Sequence, residues 1–268
     1  MSRYDFVREE VILAELNASG SVTVAELAAR FGVSPVTVRK DLDLLERRAL
    51  LRRVRGGAVA TPRDEGAFET RLRSHAHTKR AIAVAAARRV SDGDVIAIDS
   101  STTTYYLAEE LVSRSGLMVV TNSMRAATLL MERSDATVVL PGGVVRRASQ
   151  SIVGAFSDVL EGRGRIKTGF FGVASVSRTL GMLELSTEEC EVKKALVRAC
   201  DSVVGLFTSS KTQGFGLHPF AETGRITALY TDDAVEPAFV TAWDGSGVEI
   251  VTVPVTLPST QRGESMTA

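Results

Sequence analysis

Apolar residues recur at helical spacing in three short segments of the first fifty residues. Their intervals fit one face of an α-helix, with polar residues elsewhere. The apolar positions are Val11, Leu13 and Leu16 in the first segment, Leu27, Ala28 and Phe31 in the second, and Val38, Leu42 and Leu45 in the third. The pattern predicts three short helices that pack their apolar faces together.

Polar residues between these segments indicate where the helices begin and end. Thr23 and Glu26 have the spacing of a capping box, which starts the second helix, and Gly32 beyond its end permits a left-handed exit. Ser34 is a good N-cap for the third helix, and Pro35 suits the first helical position because its missing N–H is not needed there. The short connection predicts a helix-turn-helix.

A basic hairpin is predicted after the third helix. Residues 50–59 read as two strand-like pieces around the Gly56-Gly57 turn, which is the form of a wing. A polar segment with proline and glycine begins at Thr61. We therefore expect a winged helix-turn-helix domain over residues 1–60 and a linker over residues 61–78.

From residue 79 the chain alternates between short β-branched runs and helical patterns. The strand candidates are residues 95–98, 117–120, 137–140, 169–173, 203–207, 227–230 and 249–253. Apolar faces are expected at Ile82, Ala86 and Val90, at Leu107, Ala108 and Leu111, and at Ala127, Leu130 and Met131. This alternation predicts an α/β domain over residues 79–257, with a mostly parallel sheet and helices on both faces. Residues 258–268 are polar and are expected to be a disordered tail.

The formal net charge is zero, but the charges are segregated. Residues 1–80 hold 15 Lys/Arg against 11 Asp/Glu, whereas residues 81–268 hold 17 against 21. Between residues 30 and 60 the balance is eight basic to three acidic residues. A basic module on an acidic body is typical of a DNA-reading domain.

The sequence has no recognisable targeting signal, and its cysteine content suits the reducing cytoplasm. No apolar run reaches the ~18 residues that a membrane span needs, and the N-terminus is polar and mixed in charge, unlike a secretory signal. Two cysteines, Cys190 and Cys200, cannot supply a disulfide framework. We expect a cytoplasmic protein.

The third helix and the hairpin carry the candidate DNA-binding residues. Side chains near the N-terminal end of a recognition helix reach base edges and phosphates, and a basic wing contacts the backbone or minor groove. These candidates are Ser34, Pro35, Thr37, Arg39, Lys40, Arg53 and Arg55.

The predicted strand ends carry a second set of candidates. In parallel sheets ligands bind beyond the carboxyl ends of the strands, where hydroxyls and free amides can cradle a phosphate. The residues there are Ser100, Ser101, Thr102, Thr103, Thr104, Thr121, Asn122, Gly142 and Gly143. The same residue types also serve as helix caps and turn formers, so each loop alone has a structural alternative. Three such ends in succession favour a ligand site.

The N-terminal motifs resemble the DeoR family of regulators. They are Val33-Ser34, Thr37-Val38-Arg39-Lys40-Asp41-Leu42 and Arg53-Val54-Arg55-Gly56-Gly57-Ala58. One departure is Arg55, where that family usually has histidine.

Motifs along the rest of the chain are similar to the sensor domain of the same family. They are Asp99-Ser100-x-Thr102-Thr103, Thr121-Asn122-Ser123, Gly142-Gly143-x-x-Arg146, Glu189-Cys190-Glu191-Val192-Lys193 and Ser209-Ser210-Lys211. The resemblance implies a fold similar to sugar-phosphate isomerases and a phosphorylated sugar or polyol as effector. It also implies effector-site roles for Asp99, Arg146, Glu189 and Lys211, and repression that the effector relieves. Ser101 stands where the family usually has glycine, which puts ligand size or phosphate affinity in question.

Two alternatives to this regulator remain open on the sequence. An isomerase needs a carboxylate base near the substrate, and residues 170–175, which compare with the acidic loop of ribose-5-phosphate isomerases, contain no acid. A scaffold that only oligomerises is the other alternative. Phosphate-loop and nucleophile-elbow motifs are absent, and the three histidines lack cysteine partners at metal-ligand spacing. We expect no catalytic residues, metal or cofactor, and we expect operator DNA, the effector and a second copy as partners, in a dimer or tetramer.

Overall fold

The computed structural model describes residues 8–9, 11–13, 15–16, 21–47, 51–59, 67–154, 165–214 and 216–255. Within these ranges no helix has the length and apolarity needed to span a membrane. The first six residues of the predicted linker and the predicted tail, residues 258–268, lie outside the described residues.

The N-terminal unit is a winged helix. Residues 8–9, 11–13 and 15–16 are helical, and they precede β1 (Ser21–Thr23), α1 (Val24–Phe31), α2 (Pro35–Arg47), β2 (Arg52–Val54) and β3 (Gly57–Val59). The three strands form an antiparallel sheet in the order β1-β3-β2. The predicted helices and wing are confirmed. The sequence did not predict β1, because this strand forms only by pairing with the distant β3.

Local signals set the helix ends in this unit. Thr23 Oγ1 accepts from Glu26 N at 3.2 Å while Thr23 N donates to a Glu26 carboxylate oxygen at 3.3 Å, so the capping box is confirmed. Gly32 has φ 64°, the left-handed exit. Of the predicted apolar faces, all three α2 positions are buried, but in the first helix Ile12 and Leu16 are buried whereas Val11 and Leu13 are half-buried.

The segment predicted as linker contains a helix. This helix, α3 (Phe68–Arg73), precedes α4 (Ala76–Ala87), which starts three residues before the predicted Lys79. Phe68 is 1% exposed and meets the Tyr105 ring edge-on at 5.9 Å between centroids. Tyr106 Oη donates to Leu72 O at 3.0 Å. These contacts hold α3 against the C-terminal domain, and its sequence alone did not predict them.

A seven-stranded parallel sheet forms the C-terminal domain, as the alternation predicted. The order β15-β14-β12-β9-β4-β5-β6 comprises β4 (Val95–Ile98), β5 (Met118–Thr121), β6 (Thr137–Val139), β9 (Ile166–Gly172), β12 (Cys200–Leu206), β14 (Ala228–Asp232) and β15 (Glu249–Val253). Helices α4, α5 (Thr102–Leu111) and α6 (Met124–Arg133) cover one face. Helices α7 (Thr187–Ala199) and α8 (Pro237–Ala242) lie on the other face, where α7 supplies buried side chains and Phe239 of α8 packs against them.

Five short strands outside the main sheet were not predicted. They are β7 (Val144–Arg146) and β8 (Ser151–Val153), which form a hairpin, and β10 (Ser175–Ser177), β11 (Gly181–Glu184) and β13 (His218–Ala221), which form a small antiparallel sheet. One predicted helix face is wrong in detail, because Met131 is 61% exposed and Leu129 is buried in its place. These small elements close over the carboxyl ends of the main strands.

Candidate functional site

The start of α2 presents a polar surface. Ser34, Pro35, Arg39 and Lys40 are exposed, as the prediction requires. Thr37 is half-buried, and its backbone N–H and hydroxyl both meet Ser34 Oγ, at 3.1 and 2.9 Å. Ser34 and Thr37 therefore form the helix cap, and Arg39 and Lys40 beyond them are exposed to solvent. Their contact with DNA stays a prediction.

The wing differs from the prediction at one arginine. Arg53 was expected to contact DNA, but its guanidinium donates to Arg39 O at 3.1 Å and to Gly57 O at 3.2 Å, and it pairs with Asp43. Alternation along β2 turns Arg52 outward instead. Arg53 thus fastens the wing to α2, while Arg52 and Arg55 are the exposed wing cations.

In the C-terminal domain, the buried carboxylate of Glu189 accepts hydrogen bonds from several of the predicted loops. Glu189 of α7 is 2% exposed. One of its oxygens accepts from Arg146 Nη1 at 3.1 Å and from Ser149 Oγ at 2.8 Å, and also from Ser151 Oγ. The other oxygen accepts from Ser100 Oγ and Asn122 Nδ2, each at 3.1 Å. With five donors, Glu189 holds the ends of β4 and β5 against the β7–β8 hairpin.

A second buried cluster centres on Lys193, one helical turn after Glu189. Its Nζ lies 2.9 Å from an Asp99 carboxylate oxygen, pairs with Glu184, and donates to Gly172 O at 2.9 Å. Burial alone would lower the pKa of Lys193, but the two carboxylates outweigh it and raise the pKa above its ordinary value. Asp99 also accepts from Gly172 N at 2.9 Å. Lys193 is therefore a charged, buried brace between the two carboxylates.

Two adjoining cavities open beside these clusters. The first, about 90 Å³, is called the acidic cavity below because Glu184 and Glu189 line it together with Lys193. The second, about 230 Å³, is called the cationic cavity because Lys79 and Lys211 line it, next to Thr102 and Thr103. Both cavities share the residues Arg71, Ser101, Gly172, Val173 and Lys211 in their walls.

The cationic cavity concentrates positive charge at the start of α5. Lys79 is buried on α4 and donates to Arg71 O. Its burial, followed by the charges of Lys211 and Arg71, lowers the pKa of Lys79 from 10.5 to about 8. The first turn of α5 adds amides that no residue within the helix can satisfy. An anion is the ligand that this arrangement would stabilise.

Ser101 lies at the boundary of the two cavities. Its Oγ caps α5 by accepting from Thr104 N at 3.2 Å, and its φ of −76° is ordinary for any residue. A Cβ atom on Gly172 would fall 2.3 Å from the Ser101 side chain, so the glycine makes room for the serine. The effect of Ser101 on ligand size stays a prediction.

Several predicted effector-site residues lie behind the cavity walls. Thr104 Oγ1 donates to Asp99 at 2.7 Å, and Thr121 Oγ1 accepts from Ser123 N at 3.0 Å, so both complete their own loops. Gly143 belongs to the turn before β7, where a Cβ would fall 2.3 Å from Val153 O. The structure therefore does not place these groups at a ligand. The predicted residues that do not line either cavity are Asp99, Thr104, Thr121, Asn122, Gly142, Gly143 and Arg146.

Among the polar wall residues that sequence reasoning missed are Arg71, Lys79, Ser149, Glu184 and Lys193. Lys79 and Lys193 carried a usable signal, because each is a lysine on the apolar face of a helix. Arg71 carried none, since it lay in a segment assigned as linker.

Two protein-family models match this chain. The family model for the DeoR C terminal sensor domain matches residues 74–233. The model for the DeoR-like helix-turn-helix domain matches residues 8–63. Together they cover both units of the fold.

Curated relatives match along most of the chain. A putative aga operon transcriptional repressor from Escherichia coli O157:H7 is 29% identical over 92% of this chain and 93% of its own. An L-fucose operon activator from Haemophilus influenzae is 31% identical over 84% and 91%. A glycerol-3-phosphate regulon repressor from Escherichia coli K12 is 29% identical over 84% and 90%.

Among solved structures, ribose 5-phosphate isomerase A from Methanocaldococcus jannaschii aligns with 51% of this chain and 54% of its own, at 17% identity and a TM-score of 0.39. The family models match residues 8–63 and 74–233, and the L-fucose operon activator is 31% identical over 84% of the chain. The chain belongs to the DeoR family of DNA-binding transcriptional regulators.

Proposed function

We propose that the protein represses genes of sugar or polyol metabolism and releases its operator when a phosphorylated sugar or polyol fills the two cavities. The observation that carries this proposal is the cationic cavity at the start of α5, beside a second cavity lined by serine hydroxyls and buried carboxylates. The names of two relatives support repression, and one of them refers to glycerol-3-phosphate. Another relative is named an activator, so the direction of control rests on the first two.

The phosphate of the effector would occupy the cationic cavity. There Lys79, Lys211 and Arg71 supply positive charge, and Thr102 and Thr103 supply hydroxyls and first-turn amides. The lowered pKa of Lys79, caused first by burial and then by the charges of Lys211 and Arg71, supports this placement, because a bound dianion would stabilise the buried cation and offset both effects.

The hydroxyl-bearing end would extend into the acidic cavity. Ser100 and Ser149 each donate to Glu189, and Ser149 Oγ also accepts from Arg146 Nη1 at 3.2 Å, so the oxygen of Ser100 is the better acceptor for a ligand hydroxyl. Val173, Ala174 and Leu185 offer apolar wall for the carbon chain. Glu189, with Asn122 and Arg146 behind it, would position these serines instead of acting on the ligand.

Sensing, not isomerisation, is the function that this acidic cavity supports. An isomerase base must accept a proton from substrate carbon, and a carboxylate has about four lone-pair sites. Glu189 already accepts from five donors, and Glu184 is held by Lys193 and by Leu185 N. Both carboxylates of the acidic cavity are therefore committed to structure, and we infer that the protein is not an enzyme.

Operator recognition would require two copies. A helix-turn-helix reader meets two half-sites as a symmetric pair, so we propose a dimer or tetramer in the cytoplasm. Residues 1–60 would form the reader and residues 79–257 the sensor, with α3 docked on the sensor between them.

One titration separates the regulator from the isomerase and the scaffold. Wild-type protein on an operator duplex, selected from random sequence, is titrated with ribose 5-phosphate, fructose 1-phosphate, glycerol 3-phosphate and their unphosphorylated counterparts. We expect at least one phosphorylated compound to release the DNA without turnover, and its unphosphorylated form to fail. Turnover would indicate an enzyme, and no binding of any phosphorylated compound would indicate a scaffold.

A further inference from the structure

We propose that Leu185 and Leu217 form the contact through which the effector cavities control the winged helix. This inference rests on the proposed function, since it concerns regulation of the same site. Both leucines belong to the sensor domain, are half-buried, and pack against the hydrophobic core of the winged helix. That core is formed by residues such as Leu27, Leu42 and Leu45 of α1 and α2.

The two leucines are held together as one unit. Leu185 follows β11 and Leu217 precedes β13, and these strands are paired antiparallel with Glu184 opposite His218. Leu217 N donates to Glu184 O at 2.8 Å. A Cβ on Gly216 would fall 2.3 Å from Leu183 Cβ, so the backbone before Leu217 is pressed against β11. A shift at one leucine must therefore carry the other.

The same unit forms part of the acidic cavity. Glu184 and Leu185 line its wall, whereas Leu217 lines neither cavity. Leu185 N donates to Glu184 Oε1 at 2.7 Å, and the other oxygen of Glu184 pairs with Lys193. Displacement of this carboxylate by a ligand would move the backbone that presents Leu185.

A continuous chain of contacts thus joins the ligand loop to the reader. Asp99, next to Ser100 and Ser101 of the cavity wall, pairs with Lys193, which pairs with Glu184. Packed units of this kind shift between discrete arrangements. An effector that favours one arrangement of the Glu184–Leu185 segment would change the placement of the winged helix that rests on it.

Leu217→Ala tests the proposal, because this side chain touches the winged helix without lining a cavity. Operator release is measured with the phosphorylated compound of the panel that releases wild-type protein. Leu180→Ala is the matched control, since Leu180 is a half-buried leucine in the β10–β11 turn, at the opposite end of β11. We expect Leu217→Ala to bind the compound alone and the operator alone as wild type does. The coupling ratio is the compound affinity of the free protein divided by that of the operator-bound protein, and it should fall from the ~5–150-fold typical of coupled sites to near one. Leu180→Ala should keep the wild-type ratio.

Leu185→Ala changes the other leucine of the same contact, and it should also lower the coupling ratio. Wild-type ratios in both variants would overturn the proposal, as would loss of compound binding in Leu217→Ala with an unchanged ratio in Leu185→Ala. If no compound releases wild-type protein from the operator, it is the proposed function that has failed, and that result is obtained before any leucine variant is measured.

Discussion

The two adjoining cavities differ in how their charges are satisfied. In the acidic cavity, the carboxylates are matched within the protein, with five donors on Glu189 and a buried Lys193 between Asp99 and Glu184. In the cationic cavity, Lys79 and Lys211 lie near Arg71, and the pKa of Lys79 is lowered to about 8. Lys193 is stabilised as a cation, whereas the charged form of Lys79 is destabilised.

This contrast separates framework from binding site. A buried charge with matched partners holds the fold, and removal of one partner leaves the others uncompensated. A buried charge that its neighbours destabilise lowers the stability of the free protein and becomes favourable when an opposite charge arrives. The difference predicts opposite behaviour for the same substitution at Lys193 and Lys79.

The largest effect is expected for Lys193→Met. Methionine fills a similar volume but leaves Asp99 and Glu184 buried without their cation, so the free energy of unfolding should fall by about 3–5 kcal/mol. Urea unfolding followed by circular dichroism measures it. The neighbouring Lys194→Met is the control, because Lys194 is an exposed partner of Glu191, and it should change stability by less than about 1 kcal/mol. A loss no larger than that of the control would show that the brace is not structural.

Lys79→Met should spare stability and remove the response to effector. The substitution removes a buried cation that desolvation and the charges of Lys211 and Arg71 disfavour, and this gain offsets the loss of one charge-assisted hydrogen bond to Arg71 O, worth about 1.5–3 kcal/mol. We expect the free energy of unfolding at pH 7 to fall by no more than about 1 kcal/mol. Phosphorylated compounds should no longer release the operator from this variant. A loss as large as that of Lys193→Met would erase the contrast between the cavities.

Proton uptake is the smallest expected effect. In the free protein Lys79 loses its proton as the pH rises through about 8, and a bound phosphate raises that pKa because it favours the cation. Between pH 8 and the raised value, the complex holds a proton that the free protein lacks. Binding should therefore take up a fraction of a proton at pH 8.5, and affinity should fall as the pH rises further.

Calorimetry in two buffers of different ionisation enthalpy measures this uptake, with Lys79→Arg as the control, because arginine keeps its positive charge at this pH and should take up no proton. Proton release on binding, or equal uptake in the variant, would assign the titration to another group.

The winged helix and the first strand ends were predictable because their signals are local. The Thr23–Glu26 capping box, Gly32 and the run from Ser100 to Thr104 each fix structure within a few residues. The cavity walls depend on contacts between distant segments. Phe68 and Leu72 hold α3 against Tyr105 and Tyr106 of a distant helix, and this brings Arg71 to the site.

The roles of Arg53 and Lys193 follow the same rule. Alternation along a strand could have indicated that Arg52 and Arg53 point to opposite faces, but which face meets α2 required the fold. Lys193 was visible on a helix, yet its partner Asp99 lies after a different strand. Residue type predicted that these loops bind something, while the division into brace and binding site needed their neighbours.

Control of DNA binding by a phosphorylated effector is the central claim, and thermodynamic linkage tests it most directly. The affinity of the active compound is measured for the free protein and for the protein saturated with operator duplex. Because coupling is reciprocal, we expect the operator to weaken compound binding by the same factor by which the compound weakens operator binding, ~5–150-fold for typical coupled sites. Identical compound affinities in the two conditions would contradict the account.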